Sequence, residues 1–458
     1  MQGSSDVQRR TSLRTLAERG LSPLGLAALR VLLGLVLCAA MARFVLKGWV
    51  HDLIAAPGYH FHYWGFAWVP ALPEPELLAV YGLAFACALG MVLGWRTRVC
   101  SAVFCLLFTY CELIDVSLYL NHYYLVSLLT GILALLPSGV TGSTWAVLGG
   151  KAELQPVVAY SYWILRLQMA LVYFYAGVAK LEGDWLFRAE PLTTWLATFA
   201  DFPVIGGVLA QRETAYVMSW AGAVFDLAVA LLLGWRRTRP YAYCVLLGFH
   251  ALIWLLFPVG IFSWVMVVAA TIFFDPTWPA RLPGLGKRLA TLSFSTRSQT
   301  PQTRPGLFWL LVAHGVLQVL VPLRFCLYPG SVNWTNEGFR FAWRVMLVEK
   351  TGQVEFRVQT EQSRADDLDQ RVYPQRELSR LQYAQMSIQP DLILEYAKSI
   401  KRRYESQGQK GVRVYADAWA SLNGRPAARL IDPTIDLAAQ PMTLLPKPWI
   451  IPFPTASL

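Results

Sequence analysis

The stretch "WILRLQMALVYFYAGVAKLEGDW", Trp163 to Trp185, is apolar for most of its length and then meets a lysine. The solvent around Lys180 decides the fold, because a lysine closing an apolar helix lies either at a water boundary or in hydrocarbon. Composition answers for the whole chain: of 458 residues 55% are apolar and only 15% charged, 18 are Trp, and the mean hydropathy is +0.40. This is the profile of a polytopic α-helical membrane protein. A hydrocarbon core of ~30 Å takes ~20 mostly apolar residues per helix. Candidate spans fall near 24 to 42, 77 to 95, 99 to 119, 123 to 136, 157 to 180, 215 to 234, 240 to 257, 259 to 274 and 307 to 323. The fourth, eighth and ninth are short, so eight or nine transmembrane helices are expected. The first span is too long, and too poor in a small-residue cleavage site, for a removable signal peptide.

Cytoplasmic loops of membrane proteins carry an excess of Lys and Arg. With nine crossings, one side holds Arg9, Arg10, Arg14, Arg19, Arg96, Arg98, Lys151, Arg236, Arg237, Arg239, Arg281, Lys287, Arg288, Arg297 and Arg304. The other holds Arg43, Lys47, Arg188 and Arg212. This bias predicts a cytoplasmic N-terminus and puts everything after the ninth span on the non-cytoplasmic side. Two domains follow: a helical membrane domain, 1–323, and a soluble extracytoplasmic domain, 324–458.

The second domain reads as mostly β. "FAWRVMLVEKTGQVEFRVQT" (341–360) alternates like two strands around a Lys-Thr-Gly turn. "PDLILEYAKSIKRRYE" (390–405) is an amphipathic helix opened by Pro390 and Asp391, and "VRVYADAWASLNGRP" (412–426) is a strand entering an Asn-Gly turn. Residues 282–306, rich in Pro, Ser and Gln, form a cytoplasmic linker.

The net charge of +11 sits largely in loops where topology and anionic lipid account for it, so nucleic acid is not an expected partner. Six of the seven cysteines lie in spans, Cys326 lies near the last span's exit, and none form a C-x-x-C pair. Neither a zinc site nor a disulfide framework is predicted. His60 and His62 in "YHFHYW" read as polar anchors at the membrane interface.

Ionisable groups inside spans cost at least ~2.5–3.5 kcal/mol each at the bilayer centre, and they pair or line pathways. Here they are Arg30, Glu112, Asp115, Arg166 and Asp226, with Lys180, His122 and His250 toward the ends. Structural pairing between helices serves equally well for Arg30 and Glu112. Asn121 and His122 sit at the outer end of the third run, Lys180 at the outer end of the fifth, and His250 past the middle of the seventh. These four gather at one depth, beneath the soluble domain.

The same residues carry a family resemblance. "DVSLYLNHYYL" (115–125), "LRLQMALVYFYAGVAKLEGDW" (165–185), "GAVFDLAVALLLGW" (222–235), "GFHALIWLLFPVGIFSWVM" (248–266), "DPTWPARL" (275–282) and "NWTNEGFRFAWRVM" (333–346) follow one another in the order of the vitamin K-dependent γ-glutamyl carboxylases. The chain resembles the bacterial HTTM-domain relatives of that family over most of residues 20 to 440. The resemblance implies an enzyme that oxidises reduced vitamin K, a menaquinol- or phylloquinol-type hydroquinone, with dioxygen to its epoxide. It couples this to carboxylation of protein glutamate by carbon dioxide. It implies no metal, and it implies a glutamate-containing protein substrate and a quinone reductase as partners.

By the same resemblance Lys180 is the base that starts the chemistry, supported by Asn121 and His122. Burial disfavours its charged form, and a neutral amine is able to take a hydroquinone proton. His250, Arg166, Asp226 and Asp115 are then expected around the cofactor. Arg340, Arg344 and Trp334 are expected around the substrate glutamate, since a guanidinium grips a carboxylate by two parallel hydrogen bonds. The chain departs from the animal enzymes in having Phe339 and Phe341 where they have aromatic hydroxyls, and Arg340 and Arg344 at positions that are not basic there. "LPSGVTGSTW" (136–145) lacks the Trp-Ser-x-Asp of many relatives, and residues 43 to 75 have no cysteine for the animal disulfide. Two alternatives remain open from the residues: a quinone epoxidase or oxidase without carboxylation, and a non-enzymatic transporter with Arg30, Asp115, Arg166 and Asp226 as its polar path.

Overall fold

The computed structural model describes residues 16–137, 144, 148, 152–289, 292, 304–361 and 370–454. Arg9, Arg10, Arg14, Lys151 and Arg297 of the charge bias, the middle of the 282–306 linker and most of "LPSGVTGSTW" lie outside the described residues. Every apolar run is helical: α1 (Leu24–Leu46), α2 (Glu74–Leu93), α3 (Thr97–Ile114), α4 (Asn121–Leu135), α5 (Tyr160–Ala179), α6 (Arg212–Gly234), α7 (Arg239–Leu256), α8 (Phe262–Ala270) and α9 (Pro305–Leu323). Six of these, α1, α2, α3, α6, α7 and α9, are long and apolar enough to cross a bilayer; the expected eight or nine crossings therefore find support for six. α4 and α8 are short, and α5 carries Arg166, Gln168 and four tyrosines along its length.

The third run ends earlier than expected. α3 stops at Ile114, and Asp115 takes an extended backbone and caps a short 3₁₀ turn by accepting from Ser117 N at 2.8 Å. Asn121 and His122 therefore open α4 rather than close α3. α5 and α6 approach closely at Gly177, where a Cβ would lie within 2.9 Å of Leu227 backbone nitrogen. That approach sets the register of the two helices and with it the position of Lys180.

The C-terminal region is α+β rather than mostly β. Strands β1 (Lys350–Gln359), β2 (Gln370–Val372), β3 (Arg413–Leu422) and β4 (Ala428–Arg429) form an antiparallel sheet in the order β2-β1-β3-β4. Helices α10 (Arg380–Met386) and α11 (Pro390–Ser406) accompany it, α10 with a full Ser379/Gln382 capping box. Val354, Phe356 and Val358 of β1 alternate inward with Val414, Ala416 and Ala418 of β3, and Leu392, Ile393 and Ile400 of α11 complete this core. The helix opened at Pro390 matches the sequence expectation, and so does the Asn423-Gly424 turn, whose two residues are left-handed at φ 49° and 73°.

The hairpin expected at 341–360 does not form. β1 runs straight through Thr351 and Gly352, which pair with Ser421 and Ala420. Gly352 is needed for a close approach instead of a turn, because a Cβ there would sit 2.5 Å from Ser387 carbonyl oxygen. Before it, Phe341, Trp343 and Met346 take left-handed φ of 61°, 56° and 52°, which breaks strand alternation. Membrane-domain contacts hold them so: Trp343 stacks on Tyr124 at 5.0 Å, and Phe341 N donates to Tyr119 Oη at 2.8 Å.

The two regions are docked through buried polar contacts. Arg425 grips Asp184, with Nη1 2.6 Å from Oδ2, and Asn423 Nδ2 donates to the same oxygen at 2.9 Å. Gln382 Nε2 donates to Asp115 at 2.8 Å, and His62 pairs with Glu395 at 3.0 Å. Phe61 and Val116, from the connections between helices, are part of the C-terminal core.

Lys350 is buried under Trp334, its ammonium donating to Trp334 O and, at 2.7 Å, to Asn336 Oδ1. Burial pulls its pKa down to about 7. The unfolded chain holds this proton up to ~10.4, so between those values it binds one more proton than the folded state. Stability is therefore expected to rise with pH from about 7 toward 10, by up to ~1.4 kcal/mol per unit from this group. Thermal unfolding of the full chain across that range checks it: Lys350→Met is expected to flatten the rise, and parallel curves would remove Lys350 as its source.

Candidate functional site

Two cavities lie where the helices meet the C-terminal region. The larger, about 920 Å³, runs between α3, α4 and α9 and reaches Arg324, Arg340, Asp391 and Lys447. The smaller, about 740 Å³, is lined by the C-terminal ends of α1 and α7 and the N-terminal end of α4, with Trp195, Phe199, Phe257 and Phe262 in its walls and Val345 and Met346 from the C-terminal region. Glu112 and Tyr119 line both.

Asn121 and His122 line the smaller cavity. Asn121 joins the two regions: its Oδ1 accepts from Tyr119 Oη and its Nδ2 donates to Arg344 O, both at 2.9 Å. His122 is buried between Tyr123 and Phe262, and its Nε2 has no hydrogen-bond partner. A buried imidazole nitrogen without a partner costs about 1–3 kcal/mol unless a ligand meets it. His250, on the far side of Phe262, shares a hydrogen bond with Tyr173 Oη at 3.1 Å, and its Nδ1 is likewise unsatisfied.

Lys180 caps α5 and is 5% exposed. Its ammonium pairs with Asp226 Oδ2 at 2.7 Å and lies 5.1 Å from the Trp185 ring centroid. Gly177, one turn earlier, gives α6 the room to bring Asp226 this close. Lys180 is thus buried against a carboxylate, not the isolated amine expected from burial alone. It lines neither cavity; Trp185 belongs to one apolar cluster with Leu256 and Trp195, which do line the smaller one.

The remaining expected residues are placed as follows. Asp115 is fully buried and accepts from Gln382 and His60, so it serves docking. Arg166 donates to the carbonyls of Ile272 and Phe274, which end the segment after α8, and lines neither cavity. Trp334 is fully buried in the C-terminal core, its indole donating to Ile451 O at 2.8 Å. Arg344 donates to Asn333 Oδ1 at 3.1 and 3.2 Å, and Asn333 donates in turn to Glu182 at 2.7 Å. Burial lifts the pKa of Glu182 to about 6. Arg340 does line the larger cavity, but Asp391 holds it at 2.6 Å and Gln389 also accepts from it. Burial works against its charge, and Asp391 more than offsets this, raising its pKa further.

Sequence reasoning missed a polar chain within the membrane region: His314 Nε2 bonds Gln168 Oε1 at 2.9 Å, Gln168 donates to Gln318, and Gln318 donates to Tyr124 Oη at 2.9 Å. His314 and Gln318 stand four residues apart on α9, so one face of an otherwise apolar helix is polar; that spacing was the available signal. Arg43, counted only as a loop charge, also lines the smaller cavity.

The smaller cavity has the volume of a small-ligand site and largely aromatic and aliphatic walls, and His122, one of its lining residues, has an unsatisfied nitrogen. No solved structure matches the chain. The HTTM domain matches residues 19–278, and the lumenal domain of vitamin K-dependent gamma-carboxylase matches residues 303–456. Spanning the helices and the docked region together, these matches establish that the chain belongs to the vitamin K-dependent gamma-carboxylase family.

Proposed function

We propose that the protein is an integral-membrane enzyme that couples oxygenation of reduced vitamin K to carboxylation of glutamate in a protein or peptide. The observation that carries this reading is the pairing of a 740 Å³ largely apolar cavity with a buried, unsatisfied His122 directly beneath a docked lumenal-type domain. The N-terminus lies in the cytoplasm and the domain at 324–458 outside, as the loop charges support. When bound, reduced vitamin K supplies, with dioxygen, both the reducing equivalents and a base stronger than any protein side chain.

The chain's own residues do the rest. His122 orients a ring hydroxyl through Nε2, and Asn121 fixes the start of α4 against Arg344 O, so that His122 is held at the cavity wall. Lys180, once its own proton has left, accepts the ring proton, and Asp226, 2.7 Å away, stabilises the ammonium that this restores. The aromatic walls keep water from the reacting centre. Glutamate enters the larger cavity, where Arg324 stands beside the ion pairs Arg340–Asp391 and Lys447–Glu337. Each turnover consumes a reduced quinone, so a quinone reductase is a necessary partner.

A second reading, epoxidation without carboxylation, draws on Arg340: its guanidinium is already committed to Asp391 and Gln389. Purified protein incubated with reduced vitamin K, bicarbonate and a glutamate-rich peptide, with epoxide and fixed carbon scored separately, decides between them. Both products are expected. Epoxide alone selects the second reading, and neither product overturns both.

A further inference from the structure

Arg43 lies in the last turn of α1 and lines the smaller cavity. Among the described residues its guanidinium pairs with no carboxylate; it rests against Trp49, with Cζ 4.7 Å from the ring centroid. An arginine at a helix end ordinarily snorkels away from hydrocarbon toward water. This one is exposed as well, but it stands at the edge of the cavity: Nη1 lies 3.7 Å from the point where a Cβ on Gly260 would stand, and His122 Nε2 lies 4.0 Å from that same point. Because residue 260 is a glycine, no side chain stands at that point. A cation and an unsatisfied buried imidazole nitrogen thus face one space, walled by Phe44, Phe108, Phe257 and Phe262.

A cation and an unsatisfied imidazole nitrogen, both close to Gly260 within an aromatic wall, suit a ring oxygen that carries negative charge. A carboxylate would satisfy the guanidinium too, but it arrives on a peptide, whose backbone finds little to bond in these walls. The acidic group that lines this cavity, Glu112, is engaged by Ser127 Oγ at 2.8 Å and so does not claim Arg43. We propose that Arg43 and His122 form an oxyanion site for the ionised hydroxyl of an aromatic ligand seated in the smaller cavity. This rests on reading that cavity as the quinol site. When the ring O–H bond breaks, the proton goes to a base and the electron pair stays on the oxygen that Arg43 faces.

The test is binding, read by quenching of tryptophan fluorescence in the full chain in nanodiscs, since Trp49 and Trp195 line the cavity. The probes are 2-hydroxy-1,4-naphthoquinone, an anion at neutral pH, and its neutral parent 1,4-naphthoquinone. Arg43→Gln is expected to weaken the anion at least about tenfold, as loss of a charge-assisted hydrogen bond does, and to leave the neutral probe nearly unchanged. Arg43→Lys, which keeps the charge, is expected to keep the preference for the anion, and it stands in should the glutamine variant not fold. Equal weakening of both probes by Arg43→Gln, or a folded lysine variant without anion preference, overturns the proposal. So does a loss of glutamate-peptide affinity in Arg43→Gln with anion binding intact, which would assign the site to a carboxylate. A wild-type protein that binds neither naphthoquinone refutes the quinol reading of the cavity itself, and with it the role of Arg43.

Discussion

Lys180→Ala is expected to lower epoxidation of reduced vitamin K by about 10²- to 10⁴-fold, the range for losing a positioned acid–base group. The structure adds a control that sequence alone did not suggest. Removing Lys180 strands Asp226, which is 5% exposed and has Lys180 2.7 Å away. A buried charge left unpaired costs about 3–5 kcal/mol, so the single variant confounds chemistry with folding. Lys180→Ala/Asp226→Asn removes both charges and is expected to unfold nearer the wild-type temperature while staying inactive. Small primary amines added to the folded double variant are expected to restore part of the epoxide yield. Wild-type epoxide from either variant without added amine would take Lys180 out of the mechanism.

Arg425→Ala is expected to undock the C-terminal region and to cost about 3–5 kcal/mol, because it leaves Asp184 without its guanidinium. The side chains are only 5% and 14% exposed, and Asn423 alone remains to satisfy the carboxylate. Epoxidation should fall with docking, since Val345 and Met346 help enclose the smaller cavity. Thermal unfolding and limited proteolysis between the two regions measure the first effect, and epoxide yield the second. An unchanged unfolding temperature would show the ion pair to be dispensable. Burial raises the pKa of Asp184, but hydrogen bonds from Arg425 and Asn423 and the Arg425 charge overcome this and hold it below the usual carboxylate range. The stability it gives is complete above the unfolded pKa of ~3.9 and is expected to fade as pH drops below it.

Helices were legible because hydrocarbon imposes one rule on every span, so the nine apolar runs all proved helical. Residues whose partners lie far along the chain were not legible. Asp115 looked like part of a polar path through the membrane, yet it is satisfied by Gln382, 267 residues away. Residues 341–349 alternate as a strand would, but Tyr119 and Tyr124 capture Phe341 and Trp343, both of which take left-handed backbone. Arg166 carried a charge within a span and turned out to serve the carbonyls of Ile272 and Phe274. Lys180, Asn121, His122 and His250 were singled out from depth and motif. The Asp226 contact to Lys180 was not, because the close approach at Gly177 is a property of two helices together.

Tyr119 and Glu112 stand in the wall between the two cavities, and Tyr119 is also bonded to Asn121 on one side and to Phe341 on the other. A partition with two faces couples the fates of its residues. Substitutions at these two positions will not sort into variants of one ligand or the other, and their effects will not add to those of changes in either chamber. Evolution of a new preference in one cavity is therefore constrained by the occupant of the other: a larger ring on one side requires a compensating change across the wall.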